Sequence, residues 1–177
     1  MERMLSAKQV QNALDKLYRQ IVEALPTDRQ AAVIGIRTRG ETLATRICDR
    51  LRAERPDLDI AHGVLDITFY RDDLSRRRGA PLVRATEIDF DIDETFVVLV
   101  DDVVHTGRSV RAALDALHDF GRARFIRLAV LIDRGGRELP ISPDFVGRKV
   151  SAANTKRVQV RLKENDGEEG VFIINSF

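Results

Sequence analysis

Apolar positions along the chain alternate between two periods, and their order predicts the architecture. Between residues 6 and 25, Val10, Ala13, Leu14, Leu17 and Ile21 recur every three or four positions, which defines one helix face. Ser6 is placed to cap that helix and Pro26-Thr27-Asp28 to end it. Residues 31–36 form a short apolar run, hence a buried strand, and Leu43, Ile47 and Leu51 then mark a second helix face that Pro56 breaks. Residues 60–70 alternate loosely through Val64, Ile67 and Phe69 and predict a long strand, with 81–84 and 88–92 as the return strand of a hairpin. The strongest run is 96–100, Phe-Val-Val-Leu-Val, which reads as a strand buried on both faces, as in a parallel sheet. Asp101 and Asp102 stand where that strand should end, and Val110, Ala113, Leu114, Leu117 and Phe120 predict a helix beginning near Ser109. Residues 124–132 predict another buried strand and 145–150 a short strand or loop. Two further strands, 158–162 and 171–174, flank an Asp166-Gly167 turn.

Strands and helices alternate up to Ile132, and strands dominate afterwards. That order predicts an α/β fold: a mostly parallel core sheet flanked by helices, with a small hood built from residues 137–177. At 177 residues the chain is most simply one domain, 1–177, without repeats or low-complexity segments. Composition narrows the class. Hydrophobic residues make up 44% and charged residues 32%, as in soluble globular proteins. No apolar run is long enough to span a bilayer and the N-terminus has no signal-peptide core, so no membrane partner and a cytoplasmic location are expected. Cys48, alone of its kind, falls on the second helix beside Ala44 and Leu51 and is expected to pack there. A net charge of +1 gives no global attraction to nucleic acid, so RNA binding would need a local basic patch.

The chemistry concentrates at two strand–loop–helix junctions. In the loop 106–109, backbone N–H groups and the first helical turn form an anion cradle, and Gly107 permits close approach. Thr106 and Ser109 add hydroxyls and Arg108 adds charge. Asp101 and Asp102 would repel a phosphate but accept hydrogen bonds from a vicinal diol, so phosphate beside diol suggests a ribose 5-phosphate. Neither a Walker loop nor a Rossmann fingerprint is present. At the first junction, Arg37-Thr38-Arg39-Gly40 offers amides and guanidinium forks suited to a second anion. Residues 71–84 are polar, charged and aperiodic over most of their length, as expected of a lid loop.

Residues 96–109, with four apolar positions, two acids, Val103, Val104, His105 and Thr106-Gly107-Arg108-Ser109, resemble the phosphoribosyl-pyrophosphate (PRPP) motif of type I phosphoribosyltransferases. The resemblance is closer still to the PyrR family of pyrimidine operon regulators. It is carried by Gly35-Ile36-Arg37-Thr38-Arg39-Gly40, Asp66-Ile67-Thr68-Phe69-Tyr70-Arg71-Asp72-Asp73-Leu74 and Leu131-Ile132-Asp133-Arg134-Gly135-Gly136-Arg137-Glu138-Leu139-Pro140-Ile141. It covers nearly the whole chain.

The resemblance implies a two-part function. One part makes UMP and pyrophosphate from uracil and PRPP with Mg²⁺. The other binds the leader of pyrimidine-biosynthesis mRNA when UMP is present, by attenuation or translational repression. It implies that Arg37, Thr38, Arg39 and Gly40 take the pyrophosphate, that Asp101 and Asp102 serve the ribose, and that the loop 106–109 holds the 5′-phosphate. Mg²⁺ is then carried by substrate oxygens and water, with Asp101 or Asp102 as a possible contact. Arg134, Arg137 and Val158 become candidates for the base side. Arg19, Arg134, Arg137, Arg148, Lys149, Lys156 and Arg157 become candidates for the RNA surface of a homodimer or larger homo-oligomer. Departures from the family pattern put parts of this in question. His105 stands where relatives more often carry Tyr, and either accepts a proton from uracil or faces solvent or a subunit. Gly136 stands where they carry His, and Arg148-Lys149-Val150-Ser151-Ala152-Ala153 keeps the charge of the family segment without its sequence. Two other readings are a UMP-sensing regulator with vestigial catalysis and a purine or other-base salvage enzyme without RNA binding.

Overall fold

The structure, a computed structural model, describes residues 1–73, 85–153 and 155–175. The apolar run at 96–100 is the first half of β4 (Phe96–Val104), which lies between β2 (Ala31–Ile36) and β5 (Phe125–Asp133). With β3 (Ile60–Leu65) and β6 (Phe145–Lys149) these strands form a five-stranded parallel sheet ordered β3-β2-β4-β5-β6. Helices cover both faces, which is why β4 reads as continuous apolar residues. Val98 and Val100 pack with α1 (Ala7–Ala24) and α2 (Arg39–Glu54), whereas Val97 and Leu99 pack with α3 (Arg108–His118). Leu99 is fully buried, so Leu99→Ala is expected to cost roughly 2–5 kcal/mol.

Ser6 caps α1 as expected, and Gln9 completes a capping box: Gln9 N–H donates to Ser6 Oγ, and Ser6 N–H to Gln9 Oε1 at 2.9 Å. Cys48 is buried among the helix α2 core residues, and burial pushes its thiol up to about 12, as suits a packing residue.

Several boundaries differ from expectation. β3 stops at Leu65 instead of running to residue 70, because Asp66 Oδ1 captures the Thr68 N–H at 2.7 Å and a 3₁₀ turn, Thr68–Tyr70, follows. Phe69 points outward, 65% exposed. Of the hairpin, residues 74–84 lie outside the described residues, as does most of the expected lid. Residues 88–92 form no strand, and among the described residues pairing is reduced to a bridge between Val64 and Glu87. β4 does not end at the acid pair but continues through it to Val104, with Asp101 opposite Val130 and Val104 opposite Asp133. In α3 the buried face carries Val110, Ala112, Ala113, Ala116 and Leu117, while Leu114 lies at its exposed edge and Phe120 beyond its end.

The hood also differs in composition. β6, placed there by sequence order, is an edge strand of the main sheet. A second, antiparallel sheet is ordered β1-β8-β7, from β1 (Glu2–Leu5), β7 (Lys156–Arg161) and β8 (Gly170–Asn175), with α4 (Lys163–Asp166) in the β7–β8 connection. The N-terminal strand thus joins the C-terminal hood.

Candidate functional site

Four strands of the main sheet end around one cavity of about 740 Å³, where open α/β sheets place their ligand sites. β2 delivers Arg37, Thr38 and Arg39 to its wall, β4 delivers Asp101 to Gly107 and the adjoining Ser109, β5 delivers Arg134, and the segment after β3 delivers Asp66, Thr68, Arg71 and Asp73. The hood closes the far side with Lys156, Arg157, Val158 and Gln159 of β7. Two glycines bring the first two loops together. A Cβ on Gly40 would come within 2.5 Å of the Val100 carbonyl, and one on Gly35 within 2.5 Å of the Gly40 carbonyl. Only glycine lets the start of α2 press against β4 immediately before Asp101. Gly40 therefore acts beneath the loop and does not line the cavity as expected. Gly107 has φ +92° and forms the turn into α3, which most residues could not adopt without strain.

Electrostatically the two loops are opposites. Asp101 is buried and Asp102 half-buried. Each is tied to the next backbone N–H: Asp101 Oδ1 accepts from Asp102 at 2.8 Å and Asp102 Oδ1 from Val103 at 2.9 Å. Burial, then the charge of Asp102, holds the Asp101 carboxyl well above the usual carboxylate range, and burial also raises that of Asp102. The arginines opposite are already matched. Arg37 bonds Glu41 and Glu87, the latter at 2.6 Å, and its Nε donates to the Ala85 carbonyl. Arg39 forms a two-bond fork with Asp166 at 2.6 and 3.1 Å. Arg71 pairs with Asp73 at 2.9 Å. The Arg37–Thr38 peptide bond is cis.

His105 lies at the junction of the β4 and β5 loops. A Cβ on Gly136 would sit 2.9 Å from His105 Nε2, so the missing side chain at 136 makes room for the imidazole. Burial, followed by the Arg134 charge, lowers the His105 pKa below its ordinary value, so the ring is neutral at pH 7. Arg134 is itself buried and donates from Nη2 to the Ala153 and Lys156 carbonyls at 3.0 and 2.8 Å, which fixes the hood segment beside the cavity.

Other expected site residues take different places. Arg108 does not line the cavity, because Asp72 and Glu138 hold its guanidinium at 2.6 and 2.8 Å. Arg137, expected at the base or the RNA surface, spends its guanidinium internally on the Ile141 carbonyl, the His105 carbonyl and Asp133 at 2.9, 2.9 and 2.7 Å. It braces the loop under His105. Lys156 and Arg157, assigned only to an RNA surface, reach the cavity wall. Arg19, Arg148 and Lys149 are exposed and away from it, on elements packed together through the Gln20 to Val146 hydrogen bond at 3.1 Å. Asp66, Thr68, Arg71 and Asp73 belong to a stretch that carries the family resemblance but to which the sequence assigns no role in this wall, and Gln159 was not singled out. The signal for the first four was the resemblance carried by residues 66–74.

This arrangement brings an arginine loop, a glycine turn and a pair of carboxylates to one cavity. A family model for the phosphoribosyl transferase domain matches residues 2–165. The Bifunctional protein PyrR of Roseiflexus sp. (strain RS-1) is 51% identical over 176 residues, 99% of this chain and 96% of that protein. The chain belongs to the PyrR family. Proteins of the same name from Deinococcus deserti and Thermus thermophilus are 48% and 49% identical over 168 residues, 95% of this chain and 91% and 92% of theirs. Among solved structures, the hypoxanthine phosphoribosyltransferase of Trypanosoma cruzi matches with a TM-score of 0.68 at 15% identity, covering 99% of this chain and 97% of that one. That likeness establishes a shared type I phosphoribosyltransferase fold between this PyrR-family chain and that enzyme.

Proposed function

We propose that the chain is a uracil phosphoribosyltransferase, forming UMP and pyrophosphate from uracil and PRPP, and also a regulator that binds the leader of pyrimidine-operon mRNA when a uridine nucleotide is bound. The observation that carries the reading is the single cavity lined at once by the arginine loop, the acid pair and the Gly107 loop, in a chain of the PyrR family. Those three features suit the pyrophosphate, the ribose diol and the 5′-phosphate of one PRPP molecule.

In the reaction the C1′–O bond to pyrophosphate breaks, uracil N1 bonds to C1′, and the N1 proton leaves. Arg37 and Arg39 stabilise the departing pyrophosphate, while Asp101 and Asp102 face the electron-poor sugar. In this reading His105 accepts the N1 proton and Arg134 and Val158 stand beside the base, a reading supported by all three lining the same cavity. The donor set suits Mg²⁺, because two oxygen ligands with raised carboxyl pKa values would be relieved by a hard cation. Asp101 or Asp102 would meet the ion, which supplies charge neutralisation to PRPP when bound. No group of three or more His, Cys, Asp or Glu among the described residues is arranged to hold a metal, so substrate oxygens and water would provide its other ligands.

Arg19, Arg148 and Lys149 are the exposed candidates for the RNA face, joined by Lys156 and Arg157 at the cavity rim, on a homodimer or larger homo-oligomer. No helix among the described residues is long and apolar enough to cross a membrane, which supports a cytoplasmic setting. Two assays test the proposal. UMP formation from uracil, PRPP and Mg²⁺ tests the enzyme, and its absence contradicts that half. A gel shift on pyrimidine-operon leader RNA should appear with UMP and weaken as salt rises. No UMP-dependent shift at low salt leaves only the enzyme.

A further inference from the structure

A polar seam ties the arginine loop to the hood. Arg39, Thr42 and Arg46 lie three and four positions apart, on one face of α2. Each reaches the β7–β8 connection. Arg39 Nε and Nη2 donate to Asp166 at 3.1 and 2.6 Å, and Thr42 Oγ1 donates to Asn165 Oδ1 at 2.8 Å. Arg46 bonds Glu164 at 2.8 and 2.6 Å and Glu169 at 2.9 and 3.1 Å.

Asp166 differs from its neighbours in two ways. Its Oδ2 also accepts the Leu162 N–H at 2.9 Å, so the carboxylate is fixed by the hood before it meets Arg39. Its partner Arg39 also forms part of the cavity wall, whereas Thr42 and Arg46, the partners of its neighbours, do not. The fork engages Arg39 through Nε and Nη2, and among the described residues Nη1 has no hydrogen-bond partner. Asp102 is the other acid whose field reaches Arg39. A guanidinium freed from Asp166 would be drawn toward Asp102, neutralising the carboxylate the sugar needs and removing the cation the anion needs.

We propose that Asp166 is a positioning residue for the pyrophosphate end of the donor: it holds Arg39 against the hood, away from Asp102, with Nη1 left for the anion. The inference rests on the use of PRPP proposed above. Because Asp166 belongs to the hood and Arg39 opens α2 at the edge of the main sheet, the fork also links the base side of the cavity to the pyrophosphate side.

The test compares wild type with Asp166→Ala, Asp166→Asn and Arg46→Met, measuring PRPP KM, kcat, and calorimetric binding of Mg²⁺-pyrophosphate and of UMP. Losing the fixed geometry of one long side chain should raise PRPP KM and weaken pyrophosphate about tenfold in Asp166→Ala. UMP, which lacks pyrophosphate, should bind all four proteins alike and so reports an intact fold. Asp166→Asn keeps the Leu162 contact and one Arg39 bond and should fall between. Arg46→Met loosens the same seam without touching Arg39 and should leave PRPP KM unchanged. An unchanged or lower PRPP KM in Asp166→Ala overturns the proposal, as does parallel loss of UMP binding. A rise in Arg46→Met equal to that in Asp166→Ala overturns it too, since the seam as a whole would then matter. A wild type that binds UMP but neither binds nor consumes PRPP defeats the reading of the donor, and this inference with it.

Discussion

The unit β2–α2 and the unit β4–α3 meet at one cavity with the same strand–loop–helix geometry, yet they resolve their charges in opposite ways. In the first, Arg37 and Arg39 are matched by Glu41, Glu87 and Asp166. In the second, Asp101 and Asp102 sit side by side, half or fully buried, with raised pKa values. Matched arginines are held in shape and can exchange part of their partnership for a phosphate at small cost in reorganisation. Unmatched acids store a repulsion that, in the proposed reaction, a ribosyl cation or a substrate-borne Mg²⁺ would relieve. On the proposed reaction, the difference teaches that ground-state order and transition-state attraction would be assigned to separate loops.

The largest effect should come from breaking the unmatched side. Asp102→Asn keeps the shape and the Val103 hydrogen bond but removes the charge, and kcat should fall roughly 10²–10³-fold while the thermal midpoint is unchanged or higher. Equal loss of activity and stability would make the pair structural. Breaking the matched side should cost less. Arg39→Ala removes a charged donor to pyrophosphate and leaves Asp166 without its fork, and PRPP KM should rise about tenfold to a hundredfold with UMP affinity retained.

A pH profile sharpens the comparison at the β4–α3 loop. His105 has a lowered pKa, so kcat should fall only below the ordinary imidazole value of about 6.5. Burial sets this first and the Arg134 charge second, with Arg137 adding to it and Glu138 opposing; Lys156 and Arg157 of β7 and Arg71, Asp66 and Asp73 are the other charged groups lining the same cavity. His105→Gln should lower kcat about tenfold and remove that acid limb.

The smallest effect is one of stability. The folded pKa of Asp101 is raised, so its contribution favours the fold at low pH and is lost as pH rises through the folded value. Asp101→Asn should therefore be about 1 kcal/mol more stable than wild type at pH 8, a midpoint shift of about 2–4 °C, with the gap closing on acidification. A less stable Asp101→Asn at pH 8 would remove the repulsion from the comparison.

The opposed charges explain what could be read from the chain and what could not. β4 was legible because two buried faces leave a continuous apolar run, and the motif after it is local, so the Gly107 turn and the acids come in order. That the strand continues through two aspartates was not, since their place is set by pairing with β5 and by the bonds each acid makes to the next N–H. β1 was missed because, of its four residues, only Leu5 is buried and its partner β8 lies at the other end of the chain. The matched side was the harder of the two. Arg37 and Arg39 are visible as residues, but Arg39 meets Asp166 across 127 positions, and nothing local marks that pairing. The same holds for Arg137, whose three internal acceptors are fixed only by the folded loops, and for Lys156 and Arg157, which the hood turns toward the cavity.

The most direct measurement is a competition in one tube: protein, PRPP and Mg²⁺ with equal uracil, hypoxanthine, guanine and adenine, the nucleotides formed being separated and counted. The expected product is UMP with stoichiometric pyrophosphate, formed roughly 10²–10³-fold more slowly by Asp102→Asn. Formation of IMP or another purine nucleotide without UMP would contradict the assignment of this cavity to uracil.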